Sequence, residues 1–322
     1  MTLIYRLHQE DDLPALQRLW EENTNWGLPT QTLWQQYVID APLGGATIVV
    51  AEDKQTGQIV GEFVFVPSLV LVNGQEFRAF RLSAPIVAKS LRFRSPNPFS
   101  HPVVAMYRYA ATALRARGDG LIYTVPDPRW VRFFRMFPDF YGGTYPLWRL
   151  DLPLTTPLPL PADCVVKPLQ TLNDERIDRL WRAWSALHHC QVVRDSRFLP
   201  WKIGRGEYLV QGVERQGELI GLTASRRKGD RQWLICDVMA INSDEALRAT
   251  LIAVSNLAHE QATPEQPLRK VALLVTPIIE PVVRGLGFMR DEYDFPVVVQ
   301  LLNPAISKED IMPSKWYVSA ND

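Results

Sequence analysis

Cysteine is scarce in this chain. Cys164, Cys190 and Cys236 are odd in number and widely separated, which argues against a disulfide framework and for a reducing, cytoplasmic compartment. An excess of charge of either sign is also missing. Thirty-five basic side chains balance thirty-five acidic ones, so no global field draws the chain to phosphate backbones, and nucleic acid is not an expected partner. Long apolar runs are absent too: the stretch 59–72 is broken by Gly61, Glu62, Pro67 and Ser68, well short of the roughly 18 uninterrupted residues that a membrane helix needs. No membrane association is expected. Residues 1–12 carry charges early, without a basic start followed by an apolar run, so secretion is not expected either. Metal-ligand spacing is lacking as well. His188 and His189 form the one histidine pair, but neighbours on a helix point about 100° apart, and no Cys-x-x-Cys or His-x-x-x-His pattern joins them, so no metal is expected.

What the chain does have is a sentence said twice. The stretch Ala51 to Gly61, ending Gly57-Gln58-Ile59-Val60-Gly61, returns as Val213 to Gly221, with Gly217-Glu218-Leu219-Ile220-Gly221. Each copy reads as a strand, a glycine turn and a second strand. A strand (4–7; 165–169) and an amphipathic helix with acidic residues at its start (11–22; 174–187) precede both. A long helix, a buried strand and a short helix follow, giving the order β-α-β-β-β-α-β-α-β twice. At 322 residues with 47% apolar content, the chain has material for two cores.

The boundaries follow from proline. Between Asp151 and Ala162 runs Leu-Pro-Leu-Thr-Thr-Pro-Leu-Pro-Leu-Pro, which forbids helix and removes ladder donors. The reading is an N-terminal domain over 1–153, a linker over 154–163, a C-terminal domain over 164–305 and a tail over 306–322. The linker is apolar as well as proline-rich, so it is expected to lie against a surface. In the first domain Val103, Met106, Tyr107, Ala110, Ala113 and Leu114 form one stripe of a helix over 103–117, with Pro102 in its first turn and Gly118 closing it. Its counterpart over 244–260 is capped by Asn242 or Ser243. The first domain carries about nine extra residues before its last strand-helix unit, in or near 90–101, a loop leading to a helix N-terminus where unpaired N–H groups favour an anion. Arg92 and Arg94, with Arg78 and Arg81 on a neighbouring strand, read either as a solvated face or as a phosphate-facing rim.

Taken together, the two hairpins, the helix after the fourth strand, the unit Ile122-Tyr123-Thr124-Val125-Pro126 and the run Gly285-Leu286-Gly287-Phe288 resemble the GNAT superfamily of acyl-CoA-dependent N-acyltransferases in its tandem form. The resemblance covers most of residues 1–302. It implies an α/β (α+β) fold of two tandem domains, each a mixed, mostly antiparallel sheet flanked by helices. It also implies acetyl-CoA or another acyl-CoA as co-substrate, in a gap where the fourth strand splays from the fifth, and an amine acceptor, taken here as a small molecule. A homodimer is a further possibility.

The same resemblance assigns roles to residues. The pyrophosphate loop falls at 95–105, where its two glycines are absent and Pro96, Pro98 and Pro102 have no N–H to donate. Phe99, Ser100, His101, Val103 and Val104 are then the cofactor-binding candidates, against a purely structural loop. Asp127 stands where the family has a polar cofactor contact, or caps a helix over 128–136. The family's proton-donating tyrosine falls at Phe134 and Val283, neither of which can donate. Glu62 is the candidate general base; strand alternation sets it with Val60 and Val64, either partly buried with a raised pKa or exposed. Tyr123 is the substitute acid, or a buried tyrosine paired to backbone. The missing glycines and tyrosine leave open the alternative of a non-catalytic binding or interaction module on the same fold.

Overall fold

A computed structural model describes residues 2–24, 34–83, 85–92, 100–127, 130, 131, 134, 140–151, 157–204 and 207–322. The chain forms two units that interleave along the sequence. The first holds 1–69, 77–124 and 299–306; the second holds 70–76, 125–298 and 307–322. The linear bounds at 153 and 164 therefore describe the two repeats, and the units describe how the chain packs.

In the first unit, β1 (Leu3–Leu7) lies antiparallel to β2 (Thr47–Asp53), and β2 to β3 (Ile59–Val72). Helix α1 (Leu13–Asn23) joins β1 to β2 and turns Leu16 and Leu19 inward. β4 (Gln75–Leu82) follows β3, and β5 (Ile86–Val87) continues along the same edge of β3. Helix α2 (Pro102–Ala116) buries the stripe Val103, Met106, Tyr107, Ala110 and Leu114 expected of it. Its Tyr107 ring sits 6.1 Å from both Phe63 and Phe65. β6 (Leu121–Thr124) then runs parallel to β4. The sheet is completed by residues from the far end of the sequence: Leu302 and Asn303 donate to the Gly120 carbonyl at 2.9 and 3.0 Å, and Gln300 accepts from the buried Tyr107 hydroxyl.

The second unit repeats this plan with a borrowed strand. β7 (Phe140–Asp151), from the first repeat, is followed in the chain by β8 (Cys164–Pro168), α3 (Glu175–Ser185), β9 (Cys190–Val192) and the short α4 (Leu199–Ile203). Then come β10 (Leu209–Arg215), β11 (Glu218–Lys228), β12 (Gln232–Ala240), α5 (Asp244–Glu260), β13 (Lys270–Leu274), α6 (Glu280–Gly285), β14 (Met289–Leu301) and β15 (Trp316–Tyr317). The order β7-β13-β12-β11-β10-β8 is antiparallel except where β12 and β13 run parallel. β7 thus pairs with β13 of the other repeat, Leu147 opposite Leu274 and Asp151 opposite Lys270. Of the two caps read from the sequence, Ser243 serves, its Oγ accepting from the Ala246 N–H at 3.3 Å; Asp174 caps α3, accepting from Arg176 N–H at 2.8 Å. The linker is gripped by α5, whose Asn256 amide accepts from and donates to the Leu158 backbone at 2.8 and 3.0 Å. Residues 316–318, in the segment read as a tail, are buried.

The repeated glycine has a steric reason in both units. A Cβ on Gly221 would meet Thr250 Oγ1 of α5 at 1.8 Å, and one on Gly61 would meet Met106 Cε of α2 at 3.2 Å. Each glycine lets the helix after β4 or β12 seat close on the sheet. Gly221→Ala is expected to lower stability by about 1–3 kcal/mol, as overpacking does, while Gly61→Ala costs less because the Met106 side chain yields; urea melts of the two variants distinguish them.

No helix among the described residues is long and apolar enough to cross a membrane. His188 and His189 point to different surroundings. His188 is buried between Trp184 and Tyr317, ring centroids 4.9 and 5.0 Å away, and burial pushes its pKa down to about 3; His189 is exposed beside Asn73.

Candidate functional site

In the first unit β4 and β6 pair over Ala79–Leu121, Phe80–Ile122 and Arg81–Tyr123, and there the pairing ends. The edge continues as β5, which pairs with β3 on its other side, Glu62 opposite Ile86 and Gly61 opposite Val87. The sheet consequently opens between β5 and the chain leaving β6. The Ala88 N–H bonds the Val60 carbonyl at 2.9 Å, so alternation turns the Val87 backbone away from β3. The Val87 carbonyl accepts from Arg92 Nε at 3.1 Å, and Arg92 Nη2 donates to the Asn23 carbonyl at 2.5 Å. Arg92 is therefore exposed at this end of β5 and tied to two backbone carbonyls, and neither of the two sequence readings is decided by it. Arg78 is engaged elsewhere, since it lies 3.8 Å from Asp119 and over the Phe80 ring. Arg94 lies outside the described residues.

Glu62 is more deeply buried than either alternative drawn from the sequence. It is 1% exposed, and neither carboxyl oxygen has a hydrogen-bond partner. Burial raises its pKa to about 8. Alternation along β3 puts it on the face opposite Gly61, Phe63 and Phe65, hence opposite α2. An unpartnered buried carboxyl costs several kcal/mol when ionised, so the group is held mostly protonated at neutral pH.

Tyr123 is also buried, and its hydroxyl donates to Ser68 Oγ at 3.2 Å. A side chain is thus among its partners. Ser68 stands six positions along β3 from Glu62, on the order of 20 Å of extended strand at about 3.3 Å per residue. The structure does not bring the candidate base and the candidate acid together.

The helix end differs from the expectation. His101 caps α2 by accepting the Val103 N–H on Nδ1 at 3.3 Å, and the Val104 N–H bonds the His101 carbonyl at 2.9 Å. The two N–H groups read as anion donors, at Val103 and Val104, are engaged within the chain, and His101 acts as their acceptor. Ser100 is exposed, and Phe99 lies outside the described residues. Asp127 belongs to the second unit, where its carbonyl accepts from Trp130 N–H at 2.8 Å. Phe134 is buried with its ring 5.3 Å from Phe140, and Val283 is buried in α6.

Sequence reasoning misses two features. Arg92 is notable there for its charge alone, because its bond to the Val87 carbonyl depends on a loop returning to the strand edge. The second concerns β12, which also parts from β13 after Ile235–Leu273 while it goes on pairing with β11 to Ala240. The repeat of the hairpin is the signal that a second opening follows.

No known family profile matches the chain, and no curated protein does. Solved structures do. A probable N-acyltransferase of Enterococcus faecalis V583 matches with a TM-score of 0.71 at 11% identity, over 94% of this chain and 73% of that one. A GCN5-related N-acetyltransferase from Anabaena variabilis matches with a TM-score of 0.70 at 13% identity, over 94% and 73%. A tandem GNAT protein from the clavulanic acid biosynthesis pathway matches with a TM-score of 0.57 at 17% identity, over 94% and 99%. With a mostly antiparallel sheet flanked by helices, a repeated order of elements and a likeness over 94% of the chain, the chain has the fold of the GCN5-related N-acetyltransferases.

Proposed function

We propose that the chain is an acyl-CoA-dependent N-acyltransferase acting on a small-molecule amine, with the reaction in the first unit. The observation that carries this is the opening between β5 and β6 with the unpartnered carboxyl of Glu62 on the adjoining strand, opposite Ile86 of the opening's edge. The parted strand edge fits an extended amide chain on the side of the Val87 N–H, since the Val87 backbone is turned outward and its carbonyl is taken by Arg92. The α2 end fits a pyrophosphate less well, because its Val103 and Val104 N–H groups are spent on His101; Arg92 at the rim supplies the positive charge instead. Acyl-CoA, when bound, brings an acyl group activated as a thioester.

The chain's own residues have two roles. The strand edge and Arg92 hold and orient the acyl donor, which positions it for the amine nitrogen. The amine sheds one proton as its nitrogen bonds the acyl carbon and the carbon–sulfur bond breaks, and the Glu62 carboxylate takes that proton. A base with a pKa of about 8 is well matched to this, because general-base efficiency is greatest when the pKa lies near the working pH. Neither Phe134 nor Val283 can protonate the departing thiolate, so water does so.

Thiol release from acetyl-CoA with a panel of small amines tests the reading. Turnover is expected to rise with pH through about 8 and then level, since the carboxylate form is the active one. Glu62→Gln should lower kcat by about 10²–10⁴-fold and flatten that profile, and Arg92→Ala should raise the KM for acetyl-CoA with less effect on kcat. Absence of acetyl-CoA binding by calorimetry, or a Glu62→Gln chain that turns over unchanged, would remove it.

A further inference from the structure

The second unit's opening is filled by the chain itself. Pairing alternation turns the carbonyls of Cys236 and Val238 outward from β11, beyond the last β12–β13 pair, Ile235–Leu273. Both have donors from one short segment. The Asn321 N–H reaches the Cys236 carbonyl at 3.1 Å, and the Tyr317 hydroxyl reaches the Val238 carbonyl at 2.9 Å. In the first unit the comparable outward carbonyl, at Val87, receives an arginine side chain.

Asp322 of the same segment carries a charge placed where charge is expensive. The Asp322 side chain is buried, and it accepts from Arg194 Nη2 and from Lys202 Nζ. Arg194 is fully buried and spends its other donors on Asp237 Oδ1 at 2.8 Å, the Val192 carbonyl at 2.6 Å and Ser319 Oγ at 3.1 Å, with its guanidinium 4.7 Å from the Tyr317 ring centroid. Lys202 also lies 3.7 Å from Asp237 Oδ2. Two buried cations face Asp237 on β12, and Asp322 supplies the second negative charge from outside the sheet. Burial raises the Asp322 carboxyl, and Arg194 and Lys202 overcome it, holding the group below the usual carboxylate range.

We propose that the second unit contains a pocket for a ligand carrying a carboxylate and hydrogen-bond donors, formed by Arg194, Lys202 and the outward backbone of Cys236 and Val238, and that residues 316–322 are its tethered occupant. The ligand chemistry is read from the occupant: a hydroxyl and an N–H that donate to the β12 carbonyls, and a carboxylate, carried on a turn closed by the Ser319 N–H, between guanidinium and ammonium. Arginine suits this because its fork keeps its charge when desolvated. The inference does not depend on acyl transfer in the first unit.

The test is chemical rescue. Asp322→Ala leaves two buried cations against one carboxylate, and breaking such a pair is expected to reduce the folding equilibrium constant on the order of 10²-fold or more. Added acetate should restore the melting temperature of this variant saturably, with sodium chloride at the same ionic strength without effect and the wild-type chain indifferent to both. Acetate acting no better than chloride, or Asp322→Ala melting as wild type, overturns the proposal. If Asp322→Ala does not fold, the Asp322→Asn chain is followed by hydrogen exchange. Faster exchange confined to 316–322, with β11 and β12 still protected, supports a separable occupant; exchange rising together through the second unit shows an integral part of the core and sinks the idea.

Discussion

Residues 1–153 expressed alone are expected to give no cooperatively folding protein. The first unit is completed by residues 299–306, which contribute the bonds of Leu302 and Asn303 to the Gly120 carbonyl and the Gln300 partner of Tyr107. Removing them leaves the Tyr107 hydroxyl buried without that partner, at a cost of about 1–3 kcal/mol, and exposes the edge of β6. The fragment also carries β7 without β13, its antiparallel partner over Leu147 to Asp151, so an unpaired strand of twelve residues becomes a site for aggregation. The first loss alone is a sizeable part of the whole stability of a domain, about 5–15 kcal/mol. Circular dichroism melts and sedimentation check this: a soluble monomer of 1–153 with a sharp transition near that of the full chain would contradict it. Coexpression with 154–322 should recover soluble material, because that fragment supplies both missing partners.

Replacing Glu62 by Met is expected to stabilise the chain, increasingly so as pH rises. Burial lifts the folded-state pKa to about 8 from an unperturbed 4.5, so between these values the folded chain holds a proton that the unfolded chain has released. Wild-type stability therefore falls as pH rises from about 4.5 to about 8 and levels off above. At about 1.4 kcal/mol per pH unit, the accumulated cost is on the order of 3 kcal/mol at pH 7 and 5 kcal/mol above pH 8. Met has nearly the same length and no charge to desolvate, so its unfolding free energy lacks this slope. Urea titrations at pH 5, 7 and 9 decide the matter. Equal slopes for wild type and Glu62→Met would show that Glu62 does not titrate in the folded chain as its burial requires. A chain that gains stability when Glu62 is removed and loses turnover at the same time has traded one for the other, the usual signature of a strained functional group.

The candidate site is partly legible in the sequence. Glu62 stands out because it is a carboxylate within an apolar alternating strand, next to Gly61 of the hairpin that marks each repeat, although the sequence leaves it either buried or exposed. The depth of its burial is not legible, since strand alternation names the face and says nothing of what covers it. His101 reads from the sequence as a donor toward an anion, yet in the fold it is the acceptor that uses up the Val103 N–H. A side chain at a helix start can cap the helix or greet a ligand, and only the local backbone decides which. Tyr123 falls on the right strand, but its hydroxyl turns toward Ser68 and away from Glu62. That separation reflects register across three strands, to which no single segment of sequence testifies.

The sequence by itself determined the elements and their repetition. Apolar period, the cap at Ser243, and the glycine turns before Gly61 and Gly221 are local physics, and each acts within a few residues of where it is written. Tertiary structure alone decided which strand completes which sheet and what fills each opening. β7 of the first repeat pairs with β13 of the second, residues 299–306 close the first unit, and Asn321 and Asp322 reach Cys236 and Arg194. Two repeats of the same plan offer nearly equivalent edges to the same strands, so their local patterns are the same whichever edge is used. The choice rests on long-range packing and on burying charge against charge, terms that exist only once the chain has folded.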